Sequence, residues 1–252
     1  MRVFGASYRN EWEKLMRRKK YIVFIFIGIS ICFIWILLGN IISRFVMEQG
    51  GISVTLVPTP MGALPFFLQI LVPFLIFMGI TDLITVEGAE NTMNAMLCRP
   101  VERWKLYATK ILAVTMYAAL YLVSLFVVCA LMNQVFGKAL SVAELLTAFA
   151  SYALTMVPLA VLAAFAALVA LMGRSSTLVM FILLLSYMLM NALPIFFPIL
   201  SEMLFTSYLA WYRLWIGALP HATKLVHMLI IVLGYGTVFF MAGSLLFDRK
   251  EY

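Results

Sequence analysis

The sequence predicts an all-α membrane protein: six membrane-spanning helices, an N-terminal helix along the membrane surface, and short re-entrant helices between the fifth and sixth spans. Three observations predict this fold class, and the first is composition. Of the 252 residues, 65% are hydrophobic and only 12% are charged, whereas soluble domains contain about half apolar and about a quarter charged residues. A water-soluble fold of this length cannot cover so much apolar surface.

The second observation is a set of long apolar runs. A bilayer core of about 30 Å requires about 20 apolar residues in a helix. Six runs of this kind cover residues 21–41, 64–84, 111–132, 145–172, 178–200 and 225–247. Their continuous apolarity excludes a β-barrel, whose strands alternate in polarity. We therefore expect residues 21–252 to form one transmembrane domain.

The third observation is the distribution of basic residues, because Lys and Arg are retained on the cytoplasmic side. With the N-terminus inside, 14 of the 18 basic residues lie in cytoplasmic segments, and the other four are Arg44, Lys138, Arg213 and Lys224. The sequence thus predicts a multi-pass protein of the cell membrane with both termini in the cytoplasm. The net charge of +7 is then a topology signal, and no nucleic acid partner is expected.

Residues 1–20 have an amphipathic pattern. Apolar side chains recur at helical spacing, namely Val3, Phe4, Tyr8, Trp12, Leu15 and Met16. This pattern is typical of a helix in the cytoplasmic interface, with Tyr8 and Trp12 at headgroup depth and Arg17 and Arg18 against anionic membrane lipid. The alternative is a basic flank that only fixes topology.

Two regions interrupt the regular spans. In the second span, Pro73 lacks a backbone N–H and predicts a kink, while Gln69 and Asp82 are its polar candidates for a hinge or a pathway. Residues 194–224 are rich in aromatic side chains, too short to cross twice and too apolar for a solvated loop. They predict short re-entrant helices at the outer face, or else an aromatic belt that positions spans five and six.

No catalytic constellation is present. The chain contains no HExxH, GxSxG or GxxxxGK[ST] string, and its three cysteines are far apart in sequence, which suggests neither a disulfide framework nor a metal site. We expect no enzymatic activity and no cofactor or metal in this chain.

The connection between the second and third spans carries mixed charge. From Asp82 to Lys110 it reads DLITVEGAENTMNAMLCRPVERWKLYATK. Mixed charge on a short helix suits docking to a soluble partner, because the groups stay hydrated until the partner pairs them. Charge alone favours the alternative, a solvated interfacial loop.

The order of residues in this connection resembles a known family. Glu90, Asn91 and Thr92, followed by the block from Leu97 to Arg103 and by Leu106 and Lys110, are similar to the E-x-G-T…L-x-R-P-V-x-R-x-x-L…K signature of ABC-2 transporter permeases. Asn91 stands where that family commonly has a small residue. The six spans and the basic N-terminal segment agree with the resemblance.

The resemblance implies the membrane half of an ATP-binding-cassette exporter, in which two permease chains, identical or related, pair with two ABC ATPase subunits that bind the ATP and Mg. The apolar and aromatic lining expected of the pathway, with few charges, suits an amphipathic substrate such as a lipid-like molecule, a peptide or an antibiotic. The resemblance also implies a coupling helix within Glu87 to Lys105 and an interface helix within residues 1–20. The implied coupling residues are Glu87, Glu90, Thr92, Arg99, Pro100, Val101, Arg103 and Lys105, and those of the interface helix are Tyr8, Trp12, Arg17 and Arg18.

Two other classes of function remain as alternatives. A stand-alone secondary carrier or channel usually places ionisable groups near the bilayer midplane, whereas Asp82 lies near the end of its span. An intramembrane enzyme would need the catalytic constellation that the sequence lacks.

Overall fold

The computed structural model describes residues 2–48, 59–89, 102–136, 140–215 and 222–250, and within these ranges the chain is helical without a strand. The helices are α1 (Arg2–Arg17), α2 (Lys19–Glu48), α3 (Pro60–Ala89), α4 (Arg103–Phe136), α5 (Val142–Met172), α6 (Ser176–Phe196), α7 (Leu200–Met203), a 3₁₀ segment (Phe205–Trp215) and α8 (Ala222–Arg249). Helices α2 to α6 and α8 are long and apolar enough to cross a membrane. The all-helical class and the six predicted spans are confirmed.

Helix α3 departs twice from α-helical geometry. A π turn occupies Phe67–Leu71, and the backbone N–H of Val72 donates to the carbonyl of Phe67. Pro73 follows at once, near the start of the next α-helical stretch. Because proline cannot donate a backbone hydrogen bond to the fourth residue before it, the wider turn lies where the regular pattern would fail. A second π turn covers Thr81–Val86.

Helix α5 begins with a capping box and breaks once. The Ser141 hydroxyl accepts from the backbone N–H of Glu144 at 3.2 Å, while the Glu144 carboxylate accepts from the Ser141 backbone at 2.7 Å. The break lies at Thr155, between stretches 142–154 and 156–172. Pro158, three residues later, lacks the N–H that would bond to Leu154 in a regular helix.

Helices α3 and α5 form the centre of the bundle. More than half of the most apolar part of each is buried, compared with less than a quarter for α2, α6 and α8. The alanines of α5 permit close approach of its neighbours, since Ala163, Ala166 and Ala167 are fully buried. The outer helices therefore offer the faces available to lipid or to another chain.

The region after α6 is helical and packed. Helix α6 ends at Phe196, and Pro198 follows in the connection. The 3₁₀ segment buries Phe205 and Tyr208, and the Tyr208 hydroxyl donates to the Glu202 carbonyl at 2.6 Å. The described part of this region thus contains a short helix and a 3₁₀ segment, and the re-entrant helices stay a prediction.

The predicted topology has a direct test by cysteine labelling. Cys32 and Cys129 are buried free thiols with sulfurs 3.1 Å apart, so the three native cysteines are first replaced by serine or alanine. A membrane-impermeant maleimide added outside intact cells is expected to modify Lys138→Cys and to spare Arg103→Cys. Permeabilised cells supply the control, because both positions should then react. Labelling of position 103 alone in intact cells would contradict the topology.

Candidate functional site: a buried charge cluster

Helix α1 packs along α4 with its apolar face. Leu15 is fully buried, and Trp12 lies against Tyr117 of α4 with ring centroids 6.3 Å apart. Tyr8 stacks on Trp12 at 6.4 Å, so both predicted interface aromatics face protein as well as any lipid. Arg17 lies on the other face, with 83% of its side chain exposed.

Lys110 of α4 is the centre of a charge cluster. Its side chain is fully buried, and its Nζ lies 2.6 Å from Glu87 Oε2 and 3.3 Å from Glu11 Oε2. Glu11 belongs to α1 and Glu87 to the end of α3, and both carboxylates are almost completely buried. One ammonium group therefore joins three helices.

Lys14 of α1 closes the cluster. Its Nζ lies 2.8 Å from Glu87 Oε1 and 3.2 Å from Glu11 Oε1, so each carboxylate contacts both ammonium groups. We call Glu11, Lys14, Glu87 and Lys110 the four-charge cluster. Its formal charge is zero, which matters because an unpaired charge in an apolar interior is very costly. Lys14 is its outermost member, with 25% of its side chain exposed.

Asp82 forms a second group nearby. Its Oδ2 accepts a hydrogen bond of 2.6 Å from the Tyr21 hydroxyl and lies 3.0 Å from the Arg18 guanidinium, and Lys20 contacts the same oxygen. The Tyr117 hydroxyl donates to the Tyr21 carbonyl at 2.9 Å. The junction of α1 and α2 is thereby fastened to α3 and α4, and Arg18 faces a buried carboxylate as well as any lipid.

Both acidic residues of α3 lie at its second π turn. Asp82 lies within the turn Thr81–Val86, and Glu87 is the next residue. A π turn adds a residue to the helix and rotates the side chains that follow. Asp82 contacts Arg18, Lys20 and Tyr21 at the junction of α1 and α2, and Glu87 contacts Lys14 of α1.

The predicted coupling residues lie partly within the described chain. Arg103 donates to the Asp248 carbonyl at the end of α8, at 2.7 Å. Lys105 pairs with Glu102 at 2.7 Å in an exposed position, and hydrogen bonds from Lys105 and Trp104 hold the pKa of Glu102 below its usual range. Outside the described residues lie Glu90, Thr92, Arg99, Pro100 and Val101.

One expectation about Glu87 is wrong. The mixed charge of the connection predicts a hydrated carboxylate, whereas Glu87 is 3% exposed and contacts two ammonium groups. The physical reason is that Lys110 and Lys14 come from other helices and provide the charge that water would otherwise solvate. Glu87 thus faces into the bundle, while Lys105 faces outward. The coupling role of these residues stays a prediction.

The remaining predicted residues, Gln69 and Pro73, lie elsewhere. They belong to the first half of α3, where Pro73 is buried and the Gln69 side chain is exposed beside the first π turn. The structure does not bring them to the four-charge cluster.

Sequence reasoning missed Glu11, Lys14 and Lys110 as site residues, although two signals existed. Glu11 shares the helical face of Tyr8, Trp12 and Leu15, where an acidic residue interrupts an apolar stripe. Lys110 lies one residue before the apolar run of α4. A charge at such positions indicates a buried partner.

The arrangement suits a mechanical role better than a chemical one. Alternating carboxylates and ammonium groups neutralise each other, and all four are occupied by these contacts. Within the described ranges, no group of three or more His, Cys, Asp or Glu side chains could hold a metal ion. The cluster fixes α1 to the adjacent ends of α3 and α4, which flank the connection with the predicted coupling residues.

Comparison with known proteins identifies one family. A family model described as ABC-2 family transporter protein matches residues 8–191. The match covers most of the chain and contains the complete four-charge cluster. No curated protein matches the chain significantly.

Proposed function

The chain belongs to the ABC-2 transporter family, and we propose that it is the permease of an ATP-driven exporter that moves or flips an amphipathic substrate across the cytoplasmic membrane. Two copies, or one copy and a related chain, would form the pathway with two ABC ATPase subunits. ATP and Mg would bind to those subunits, so this chain would perform no bond chemistry. Its contribution would be a different affinity for substrate in the inward-open and outward-open states.

The four-charge cluster is the observation that supports this proposal most strongly. Glu87 opens the predicted coupling segment, and Lys110 follows its end by five residues. The 2.6 Å contact between them joins the two arms of the segment at its base. Lys110 also lies 3.3 Å from Glu11, and Lys14 lies 2.8 Å from Glu87, so α1 belongs to the same unit.

This arrangement gives a physical route for coupling. When the two ATPases close on each other, they would displace the coupling segment. Because the ion pairs connect its base to α1, α3 and α4, these elements would move together. The π turns of α3, at Phe67–Leu71 and Thr81–Val86, are places where that helix could bend.

The proposal is tested by purifying the chain together with an ABC ATPase. A tagged chain is co-expressed with a candidate ABC ATPase and purified in a mild detergent. We expect the ATPase to be retained, and ATP hydrolysis by the reconstituted complex to rise when a transported amphiphile is added. A chain that purifies without any ATPase from native membranes would count against the proposal.

Reversal of one charge tests the coupling segment. Arg103→Glu is expected to reduce the recovered ATPase and transport together, because docking would bury Arg103 against the ATPase, and loss of one partner of a charge pair buried in an interface costs about 2–5 kcal/mol. Insertion should be preserved, since Arg103 is exposed and 17 of the 18 basic residues remain.

Arg174→Glu is the matched control for charge and topology. Arg174 is also exposed, at the connection between α5 and α6 on the predicted cytoplasmic side, but lies outside the coupling segment. Co-purified ATPase and membrane-inserted chain are measured for both variants. Normal ATPase recovery with Arg103→Glu would refute the docking role, and failed insertion would favour the alternative in which these arginines fix topology.

A second permease chain is expected because six helices bury too little volume to enclose a bulky substrate. The poorly buried α2 and α6 are the preferred interface. Cysteines placed on the exposed faces of these helices, for example at Phe26 and Phe181, should give disulfide-linked dimers in native membranes. Cysteine at the exposed Leu131 of α4 is the control and should give less dimer. If all three cysteine variants yield only monomer, the proposed pairing of two permease chains is contradicted.

A further inference from the structure

An apolar groove lies between α4, α5 and α8. Its volume is about 530 Å³, within the range of about 300–1,000 Å³ that is typical of small-molecule sites. The groove is recessed because its walls include the small residues Ala160 and Ala164 of α5 and Gly236 of α8. The larger side chains of Ile111 and Phe240 also line it. A molecule in this recess therefore contacts three helices.

The lining selects hydrocarbon. Among the described residues that line the groove, only Thr237 has a polar side chain. Its hydroxyl donates within α8 to the Gly234 carbonyl at 2.9 Å, so this donor is already used. A charged or strongly polar group that entered the groove would lose its hydration without compensation, which is costly.

The groove lies at the depth of the bilayer centre. Its α8 residues run from Leu233 to Phe240. This stretch begins about 16 Å after the start of the helix at Ala222 and stops about 14 Å before Arg249, at a rise of about 1.5 Å per residue. A hydrocarbon core is about 30 Å thick. Phospholipid headgroups therefore do not reach this level, whereas the distal part of an acyl chain does.

Aromatic rings close the groove toward the predicted cytoplasmic side. Tyr107 of α4 is fully buried, and its ring centroid lies 5.5 Å from that of Phe240 and 5.7 Å from that of Phe247. On the lipid side, Leu233 and Thr237 are exposed. A ligand therefore enters sideways, from the bilayer.

The size of the groove favours a hydrocarbon chain over a helix of another subunit. An α-helix with its side chains is about 10–12 Å wide and rises about 5.4 Å per turn. A single turn would fill the groove, and most of a docked helix would lie outside it. An acyl chain is narrow enough to lie along the recess.

We propose that the groove binds one acyl chain of a membrane phospholipid as a resident ligand. The bilayer surrounds the groove with such chains, and a chain in the recess makes dispersion contacts with three helices instead of one. It therefore stays longer than a chain beside a flat helix face. Helix α8 gains most from this ligand, because only 6% of its most apolar part is buried by protein.

Spin-labelled phosphatidylcholine tests the depth of the site. The purified chain is placed in phosphatidylcholine nanodiscs, with the nitroxide either near the end of one acyl chain or near the headgroup. The fraction of lipid with restricted motion, measured by electron paramagnetic resonance, is expected to be larger for the label near the chain end. A restricted fraction that is larger near the headgroup would place the contact at the membrane surface and overturn the proposal.

A substitution that fills the recess tests the groove itself. Ala160→Phe is expected to reduce the restricted fraction at the chain end, because the added ring occupies the volume of the ligand. Ala153→Phe is the matched control, since Ala153 is exposed on the same helix and does not line the groove. Leu233→Trp, at an exposed position, is a second variant with the same expected effect if Ala160→Phe does not fold. An unchanged restricted fraction in a folded groove variant would overturn the proposal.

A second copy of this chain is the other occupant that can be identified. Leu233→Cys, in a chain without other cysteines, is expected to stay monomeric under oxidation in native membranes and to keep the restricted lipid. Disulfide-linked dimers with loss of that lipid would show that a second copy covers the groove, and the proposal would fail. No ATPase is present in these measurements, so their outcome is separate from that of the proposed function.

Discussion

Lys110→Met is expected to lower the free energy of unfolding by about 3–5 kcal/mol, because removal of one partner leaves buried charge without compensation. Lys14, which is itself partly exposed, would then be the one ammonium group of the four-charge cluster left to face Glu11 and Glu87. For a chain of this size the melting temperature should fall by about 6–20 °C. Thermal unfolding of the purified chain in one detergent measures the change.

Lys105→Met is the matched control for this loss of charge. Lys105 lies five residues earlier on the same helix, and its pairing with Glu102 is exposed, at 36% and 60% of the two side chains. Exposed pairs contribute little to stability, so this variant should melt close to the unaltered chain. Equal melting temperatures for the two methionine variants would contradict the structural role of the four-charge cluster.

Charge exchange within the four-charge cluster should have a comparably large effect on coupling. Glu87→Lys with Lys110→Glu keeps opposite charges at positions 87 and 110. It also places an ammonium group at position 87 against Lys14, and a carboxylate at position 110 against Glu11. Exchange of Glu11 and Lys14 alone creates the same two repulsive contacts from the other side. Each double exchange is expected to loosen α1 and to reduce transport for each ATP hydrolysed.

A chain that carries both double exchanges should regain normal transport for each ATP hydrolysed. All four contacts would again join opposite charges, and the net charge of the chain would equal that of the unaltered protein in every variant. Transport and ATP hydrolysis are measured for the two double exchanges and for the fourfold exchange. If either double exchange transports normally, the link between α1 and the bundle is not needed for coupling. If the fourfold exchange is no better than the double exchanges, the charge pairing is not the cause.

The spans were predictable because their signal is local. Apolar runs of sufficient length predict helices in lipid without knowledge of their neighbours, and all six are present. Proline has a similarly local effect, since Pro73 predicts an irregular place in α3 and the structure has a π turn directly before it. That the irregularity is a π turn depends on how the turns of the helix pack, which the sequence pattern does not contain.

The four-charge cluster was not predictable in the same way. Lys110 and Glu11 are 99 residues apart, and Lys14 and Glu87 are 73 apart. Helical periodicity assigns each of these residues to a face of its own helix but does not say which faces meet. For this reason the sequence predicts water around Glu87, and only the packing of α1 on α3 and α4 shows that two lysines take its place.

The most direct test of the proposed function is to determine which energy source drives transport. Proteoliposomes are prepared with the chain alone or with the chain and its ATPase, and transport of a fluorescent amphiphile is followed with ATP or with an ion gradient. We predict transport only when both the ATPase and ATP are present, and none from the gradient. Gradient-driven transport by the chain alone would contradict the account and would identify the chain as a secondary carrier.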